Sequence, residues 1–173
     1  MILKSEKVIL RPFAIEDLDQ INLWRGDKDL RLMSLMHPYP VSMEQDRDWL
    51  EYVTKDISNK NIYLAAERNK DKEMIGYFQL RDINLIHKHA FLGIIIGNTS
   101  DRGKGYGKEM MKLGLDYGFK MLGLEKISLE VLETNERAIK LYETIGFKQE
   151  GKFNNHFFFD GQWHHVVRMA KFK

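Results

Sequence analysis

The stretch SDRGKGYGKEM, residues 100–110, places glycine at positions 103, 105 and 107, with basic residues at 102, 104 and 108. It follows an almost wholly apolar run, AFLGIIIG at 90–97, and precedes apolar residues that recur at helical spacing. The sequence therefore predicts a strand, a glycine loop and then a helix. Backbone N–H groups at a helix start lack partners, and glycine lets the backbone approach an anion closely. The stretch is a candidate phosphate-binding loop.

The spacing of these glycines excludes the two common nucleotide motifs. A P-loop needs Gly-x-x-x-x-Gly-Lys-Ser/Thr, but Gly103 and Gly107 are one residue too close, and an acid follows Lys108. A dinucleotide-binding loop needs Gly-x-Gly-x-x-Gly, and here the third glycine comes one position early. The pattern that remains is Arg-x-x-Gly-x-Gly, formed by Arg102, Gly105 and Gly107.

Composition narrows the class of protein. The chain has 173 residues, a net charge of +2 and no cysteine, so we expect a single domain over residues 1–173. The weak charge does not favour nucleic acid, and no apolar run is long enough for a membrane span. The lack of cysteine excludes a thiolate nucleophile. The first residues, MILKSEKVILRPF, lack the features of a signal peptide, and we expect a soluble cytoplasmic protein.

Hydrophobic periodicity and turn signals predict a mixed α/β domain. The predicted strands cover 7–13, 61–69, 74–83, 90–97 and 126–132, with two more around the Asp160-Gly161 turn. The predicted helices cover 15–25, Ser42 to about Ile57, 105–122 and 135–145. Ser42 and Gln45 form a capping-box pattern at the start of the second helix.

The segment NERAIKLYETIGF, residues 135–147, follows the predicted strand at 126–132. Together with the glycine loop, it resembles the GCN5-related N-acetyltransferase (GNAT) family, whose second motif reads N-x-x-A-x-x-L-Y-x-x-x-G-F. The order of the elements matches as well, over nearly the whole chain. The resemblance implies an α/β (α+β) fold with a mixed, largely antiparallel twisted sheet of about six to seven strands and about four flanking helices. It also implies that the sheet is splayed between its fourth and fifth strands.

The resemblance implies acetyl-CoA as the acetyl donor and no metal. The strand at 90–97 would part from the strand at 126–132, and the pantetheine arm would lie between them. Backbone N–H groups of residues 103–108 would hold the pyrophosphate. The residues that the resemblance assigns to the donor are Ile94, Ile95, Ile96, Arg102, Gly103, Lys104, Gly105, Tyr106, Gly107, Lys108, Asn135 and Ala138.

For catalysis, the resemblance implies that Tyr142 points at the thioester sulfur and protonates the departing CoA thiolate as a general acid. A phenol suits this task because its ordinary pKa, about 10, is not far from that of a thiol. The amine would attack directly, and a backbone N–H of the 94–97 strand would stabilise the oxyanion. No covalent enzyme intermediate is needed, which agrees with the lack of cysteine.

The general base is not given by the resemblance. Many family members place a glutamate near the start of the splayed strand, but the matching positions here read Ala90-Phe91-Leu92. Histidine and carboxylate side chains nearby could take its role, directly or through water. The candidates are Glu130, His87, His89 and Asp82, of which Glu130 and His87 join Tyr142 as the predicted catalytic set.

Three resemblances bear on the acceptor amine. The segments LGLDYGFKMLGLEKISLEV and FFFDGQWHHVVRMAKF read like bacterial spermidine N-acetyltransferases. That subgroup has an acidic stretch between its first two helices, whereas Met36–Pro40 contains no acid, and Gln79 stands where that subgroup has a glutamate. Both losses weaken the case for a polycation. The segments LWRGDKDLRLM and HKHAFLGI resemble amino-sugar N-acetyltransferases, in which Arg25 or Arg31 could meet a phosphate.

A third group of relatives acetylates the N-termini of ribosomal proteins. We therefore predict a small-molecule amine as substrate, either a polyamine such as spermidine or an amino sugar. N-terminal acetylation of a ribosomal or other protein is one alternative, and a non-catalytic CoA-binding module is another. The predicted acceptor-binding residues are Arg25, Arg31, Tyr39, Gln79 and Asp82.

The remaining expectations concern partners and charged clusters. We expect no nucleic acid or membrane partner and, from the family, a homo-oligomer, a dimer or larger. The six histidines lack the spacing of a metal site. The acidic run Glu44, Asp46, Asp48 and Glu51 is typical of a solvated helix face.

Overall fold

A computed structural model describes residues 2–173 of the chain. Its strands form one sheet of eight strands in the order β1-β2-β3-β4-β5-β6-β8-β7. The strands are β1 (Leu3–Lys4), β2 (Val8–Pro12), β3 (Ile62–Arg68), β4 (Met74–Asn84), β5 (His89–Ile96), β6 (Lys126–Leu132), β7 (Lys148–Phe159) and β8 (Gln162–Phe172).

Five α-helices cover the two faces of the sheet. They are α1 (Leu18–Gly26), α2 (Lys28–Met33), α3 (Met43–Lys55), α4 (Tyr106–Asp116) and α5 (Glu136–Ile145). A π-helical segment, Tyr117–Met121, continues α4. Ser42 and Gln45 cap α3 reciprocally, which confirms the predicted capping box. No helix within residues 2–173 is long and apolar enough to cross a membrane.

The sheet opens between β5 and β6. Every other pair of neighbouring strands is antiparallel, but β5 and β6 run parallel and pair only at His89–Lys126, Ala90–Ile127 and Phe91–Ser128. Beyond Phe91 the two strands diverge, while β6 stays paired with β8 along its whole length and β5 stays paired with β4. The structure thus confirms the mixed, splayed sheet.

Two hydrophobic clusters hold the helices on opposite faces of the sheet. Neighbouring residues Tyr77 and Phe78 of β4 belong to different clusters, as the alternation of side chains along a strand requires. Phe78 packs with Met110 and Met111 of α4, whereas Tyr77 packs with the cluster that contains Trp24 of α1. Helices α4 and α5 therefore lie on one face of the sheet, and α1 to α3 lie on the other.

The number of elements differs from the expectation. The sheet has eight strands rather than six to seven, and there are five α-helices rather than four. The additional strand is β1, which has only two residues, and the additional helix is α2, which has six. Neither is long enough to display a hydrophobic period. Because β1 adds a strand at the edge, the opening lies between the fifth and sixth strands of the chain.

Candidate active site

A cavity of about 540 Å³ occupies the opening between β5 and β6. Gly93 and Ile94 of β5 form one side of it, and Glu130 of β6 and Tyr142 of α5 form another. Residues of α1, α2, α3 and β4 complete its wall. Of the predicted site residues, those that line this cavity are Arg25, Arg31, Gln79, Ile94, Ile95, Glu130 and Tyr142.

Tyr142 reaches this cavity from the middle of α5. Asn135 caps that helix, since its side-chain oxygen accepts a hydrogen bond from the backbone N–H of Ala138 at 3.2 Å. Tyr142 is only 9% exposed, and its ring packs against Phe147 at 6.1 Å between centroids. Burial alone raises the pKa of Tyr142 to about 12, so the hydroxyl is protonated at neutral pH.

The glycine loop precedes α4 and leaves the start of that helix open. Gly103 has φ 84° and Gly105 has φ 87°, in the left-handed region that residues with a Cβ rarely adopt. Gly105 is the N-cap of α4, and no side chain caps the first N–H groups of the helix. A Cβ on Gly107 would lie 3.6 Å from both Ile94 and Leu141. Uncapped N–H groups beside a glycine backbone fit the pyrophosphate of acetyl-CoA.

The basic residues around this loop divide into two groups. Arg102 folds back on β5, where it donates to the carbonyl oxygens of Ile96 and Gly97 at 3.4 Å each. Lys108 is exposed, as is Lys104, which lies 3.9 Å from the buried carboxylate of Asp101. Of the basic residues predicted to bind the donor, Lys104 and Lys108 are therefore the ones that remain exposed at the loop.

Two further cations reach the loop from distant parts of the chain. Lys7 Nζ donates to the carbonyl oxygen of Lys104 at 3.3 Å, and a Cβ on Gly103 would lie 3.0 Å from Arg137 Nη2. Sequence reasoning missed both residues. Lys7 lies 97 positions before Lys104, so no local motif includes it. Arg137 falls at a variable position of the second motif, where only its charge could have indicated a role.

Where α1 and α3 line the cavity, Arg25 forms an ion pair with Asp46 of α3. Arg25 Nη1 and Asp46 Oδ1 are 2.6 Å apart, and the guanidinium lies 4.1 Å from the centre of the Trp49 ring. Asp46 is 0% exposed, so the interpretation of the acidic run as a solvated face is wrong at this position. Its burial is tolerated because Arg25 and Asn22 supply hydrogen bonds to both carboxylate oxygens.

Arg31 is a buried guanidinium that organises the segment between α2 and α3. It donates to the backbone oxygens of Arg25, His37 and Tyr39, the last two from Nη1 at 2.7 and 2.8 Å. Tyr39 therefore contributes its carbonyl, whereas its side chain is 70% exposed and does not line the cavity. The structure brings Arg25 and Arg31 to the cavity, but not the ring of Tyr39.

Strand β4 presents Tyr77, Gln79 and Arg81 along the wall of the cavity. Gln79 lies directly opposite Gly93 of β5, where a Cβ would come within 2.4 Å of Gln79 Nε2. Glycine at position 93 thus makes room for this amide. Burial raises the pKa of Tyr77 to about 12, although the nearby charge of Arg25 opposes the rise. Tyr77 and Arg81 were not predicted, because nothing in their local sequence distinguishes them from other strand residues.

Glu130 lies on β6, and Arg168 of β8 holds it. Both hydrogen bonds from Arg168, at 2.5 and 3.2 Å, go to Oε1 of Glu130. The guanidinium of Arg168 lies 5.0 Å from the ring centres of Phe91 and Phe153, which fixes its position. Oε2 is therefore the oxygen of Glu130 that a water molecule or an amine could approach.

His87, His89 and Asp82 do not line the cavity. His87 is an exposed residue of the turn between β4 and β5, and its ring stacks with that of His89 at 6.3 Å. This turn lies at the closed end of the opening, where β5 and β6 are still hydrogen-bonded. Within residues 2–173, no three His, Cys, Asp or Glu side chains group in a way that could hold a metal ion.

Comparison with known proteins agrees with this geometry. The family model described as an acetyltransferase (GNAT) domain matches residues 7–148. The spermidine N(1)-acetyltransferase of Escherichia coli strain K12 is 32% identical over 173 residues, which cover 98% of this chain and 88% of that protein. The spermidine N(1)-acetyltransferase of Vibrio cholerae is 38% identical over 170 residues, covering 95% and 92%.

A solved structure also aligns over nearly the whole chain. It is spermidine N-acetyltransferase from Vibrio cholerae in complex with CoA and spermine. Its TM-score is 0.88 at 30% identity, and the alignment covers 97% of this chain and 96% of that one.

A splayed sheet, a glycine loop at a helix start and a protonated tyrosine in the opening define a CoA-dependent acyltransferase. The family match and the full-length relatives narrow this class further. The chain belongs to the GNAT family, and it is an acetyl-CoA-dependent N-acetyltransferase.

Proposed function

We propose that this chain transfers the acetyl group of acetyl-CoA directly to the primary amine of a small molecule, with Tyr142 as the general acid. The observation that carries this proposal is the position of Tyr142. Its side chain lines the cavity at the point where β5 and β6 have parted, and burial keeps its hydroxyl protonated. A general acid must hold a proton and reach the leaving group, and both requirements favour Tyr142.

The glycine loop and the free edge of β5 are suited to hold the donor. Acetyl-CoA, when bound, supplies a thioester whose acetyl carbon an amine can attack. The N–H groups at the start of α4 would bind its pyrophosphate, with Lys104, Lys108, Lys7 and Arg137 nearby. Ile94 to Ile96 lack a strand partner on the β6 side, so their backbone groups are available to the arm of the donor or to the oxyanion.

The acceptor must lose a proton before it attacks. Positive charges near an ammonium group disfavour its protonated form, and Arg25, Arg31 and Arg81 line the same cavity. We propose that these charges lower the pKa of the bound amine, and that Oε2 of Glu130 receives the proton directly or through water. Tyr142 would then give its own proton to the departing sulfur and regain one, through water, as the acylated nitrogen loses its second proton. This scheme assigns no role to His87, whose side chain lies outside the cavity.

Two classes of small-molecule amine are candidates for the acceptor. The relatives named as spermidine N-acetyltransferases favour a polyamine. The arginine residues of the cavity favour an amine with an anionic group, such as a phosphate-linked amino sugar.

Exposed Phe158 and Trp163, whose ring centres are 5.1 Å apart on the β7–β8 hairpin, support the expected homo-oligomer. A cytoplasmic location stays a prediction.

A thiol-release assay with acetyl-CoA tests the proposed reaction. The acceptors would be spermidine, spermine, a nucleotide-linked 4-amino sugar and a ribosomal N-terminal peptide. We expect release of CoA with at least one small-molecule amine, and mass spectrometry should find one acetyl group on its nitrogen. Release with the peptide alone would instead assign protein N-terminal acetylation. No release with any acceptor, while calorimetry detects acetyl-CoA binding, would assign a non-catalytic CoA-binding module.

A further inference from the structure

We infer that the acceptor is a primary amine that also carries an anionic group, a carboxylate or a phosphate, and that Arg31 and Arg81 bind this group. The inference rests on the proposed function, because it concerns the amine that enters the same cavity. The charges of the cavity would then select an anionic amine as substrate. Such an enzyme would differ in specificity from one that recognises a polycation.

The charges that line the cavity are unbalanced. Three arginines, Arg25, Arg31 and Arg81, face a single carboxylate, that of Glu130. Arg25 is neutralised by Asp46 at 2.6 Å, and Glu130 is neutralised by Arg168 at 2.5 Å. Neither Arg31 nor Arg81 forms an ion pair with a carboxylate within residues 2–173. Two positive charges are thus left for a ligand.

Arg31 is held as a preorganised anion-binding group. A guanidinium has five N–H donors, and the backbone oxygens of Arg25, His37 and Tyr39 occupy Nε and Nη1. Its Nη2 donates to no protein acceptor within residues 2–173 and is not sealed from solvent. The residue is only 9% exposed, and a buried charge without a counter-ion is costly. A ligand anion on Nη2 would supply the missing counter-ion.

Arg81 supplies the second charge from β4. It is exposed and lines the cavity, and its side chain makes no hydrogen bond to another part of the described chain. Its positive charge acts on the hydroxyls of both Tyr63 and Tyr77, whose pKa values it lowers against the larger effect of burial. Both tyrosines line the same cavity as Arg81. An exposed guanidinium and a buried, fixed one that line one cavity can hold one anion between them.

A polyamine would be repelled by the unpaired positive charges of this cavity. Every amine of spermidine beyond the reacting one is a cation at neutral pH, and it would lie beside Arg31 and Arg81. Among the described residues that line the cavity, the only carboxylate is that of Glu130, which already accepts two hydrogen bonds from Arg168. The carboxylates of Asp56 and Asp82 also act on Tyr63, but they lie outside the lining. An acceptor with a carboxylate or phosphate, by contrast, replaces repulsion with charge-assisted hydrogen bonds.

The test uses matched acceptors with the intact protein and acetyl-CoA. The phosphate arm compares a nucleotide-linked 4-amino sugar with the free 4-amino sugar, and the carboxylate arm compares 4-aminobutyrate with 4-aminobutyramide. In at least one arm we expect kcat/KM of the anionic member to exceed that of the neutral one, and that of spermidine, by roughly 10- to 100-fold. Faster turnover of spermidine than of every anionic acceptor would overturn the inference and leave the proposed function standing. Silence with all acceptors would remove both.

Two arginine variants complete the test. With the preferred anionic acceptor, Arg81→Gln should raise KM by roughly 10-fold while the Kd of acetyl-CoA stays unchanged. Arg47→Gln is the matched control, since Arg47 is a partly exposed residue of α3 that pairs with Glu44 at 3.5 Å and lies outside the cavity. The charge-reversed Arg81→Glu should favour spermidine relative to the parent. Equal KM values for Arg81→Gln, Arg47→Gln and the parent chain would contradict the assignment.

Discussion

Tyr142 illustrates how burial prepares a single residue for chemistry. The sequence motif indicates a tyrosine on a helix, and its surroundings extend the pH range over which the hydroxyl stays protonated. Burial raises the pKa of Tyr142 to about 12, from the ordinary value of 10.0, and no charge or hydrogen bond contributes. The neutral, proton-bearing form therefore persists as pH rises through 10 and is lost only as pH approaches the raised value.

This raised pKa predicts the pH profile of turnover. The amine becomes reactive as it loses its proton, so kcat should rise with pH, and it should then stay level up to about pH 10 because Tyr142 remains protonated. Steady-state kinetics at saturating substrates from neutral pH upward, with circular dichroism at each pH to confirm that the chain is folded, measure this directly. A decline in kcat of the folded chain well below pH 10 would contradict the assignment of the acid.

At the scale of elements, the opening of the sheet lies between two strands that each stay paired on their other edge. Parallel pairing of β5 with β6 stops at Phe91, while β6 remains paired with β8 from Lys126 to Leu132 and β5 remains paired with β4. The backbone groups of β5 beyond Phe91 on that side need another partner, since unpaired backbone groups inside a protein are costly. A ligand that extends along β5 could supply hydrogen bonds there, so the opening of the sheet is suited to bind one.

A substitution in the glycine loop tests whether this loop binds acetyl-CoA. Gly105→Glu should abolish measurable acetyl-CoA binding by calorimetry, since the side chain would fill the space at the start of α4 and repel the pyrophosphate. Gly123→Glu is the matched control, because Gly123 also has a positive φ, 67°, and a Cβ there would meet nothing within 4 Å. Each variant bears a similar backbone strain of about 1–2 kcal/mol. Undiminished binding in Gly105→Glu, or an equal loss in both, would refute the loop assignment.

At the scale of the whole molecule, the parts that could be predicted from sequence are those encoded locally. The glycine loop at 103–107 and the cap, tyrosine and terminal glycine of α5 lie within short segments, so their spacing alone indicates their structure. The splayed sheet was implied by the resemblance of these segments to the GNAT family. In α1, the structure buries Trp24, whereas its neighbour Leu23 stays 67% exposed.

The arginine-lined part of the cavity, where we propose that the acceptor binds, could not be predicted as well, because residues far apart in sequence form it. Asp46 reads as part of an acidic helix face until Arg25 is brought beside it by the packing of α1 on α3. Arg81 has no local signal, and its importance depends on Arg31 lying across the same cavity. His87 has a suitable side chain but lies at the closed end of the sheet opening, a property of strand register that no motif encodes.

We propose that the opening between β5 and β6 is a catalytic site in which Tyr142 protonates the leaving thiolate. The most direct test compares kcat of Tyr142→Phe with that of the parent chain for the best acceptor, with the Kd of acetyl-CoA measured in parallel. We predict that kcat falls by about 10²- to 10⁴-fold while the Kd stays within about threefold, since only the proton donor is lost. An unchanged kcat in Tyr142→Phe would show that Tyr142 is not the proton donor.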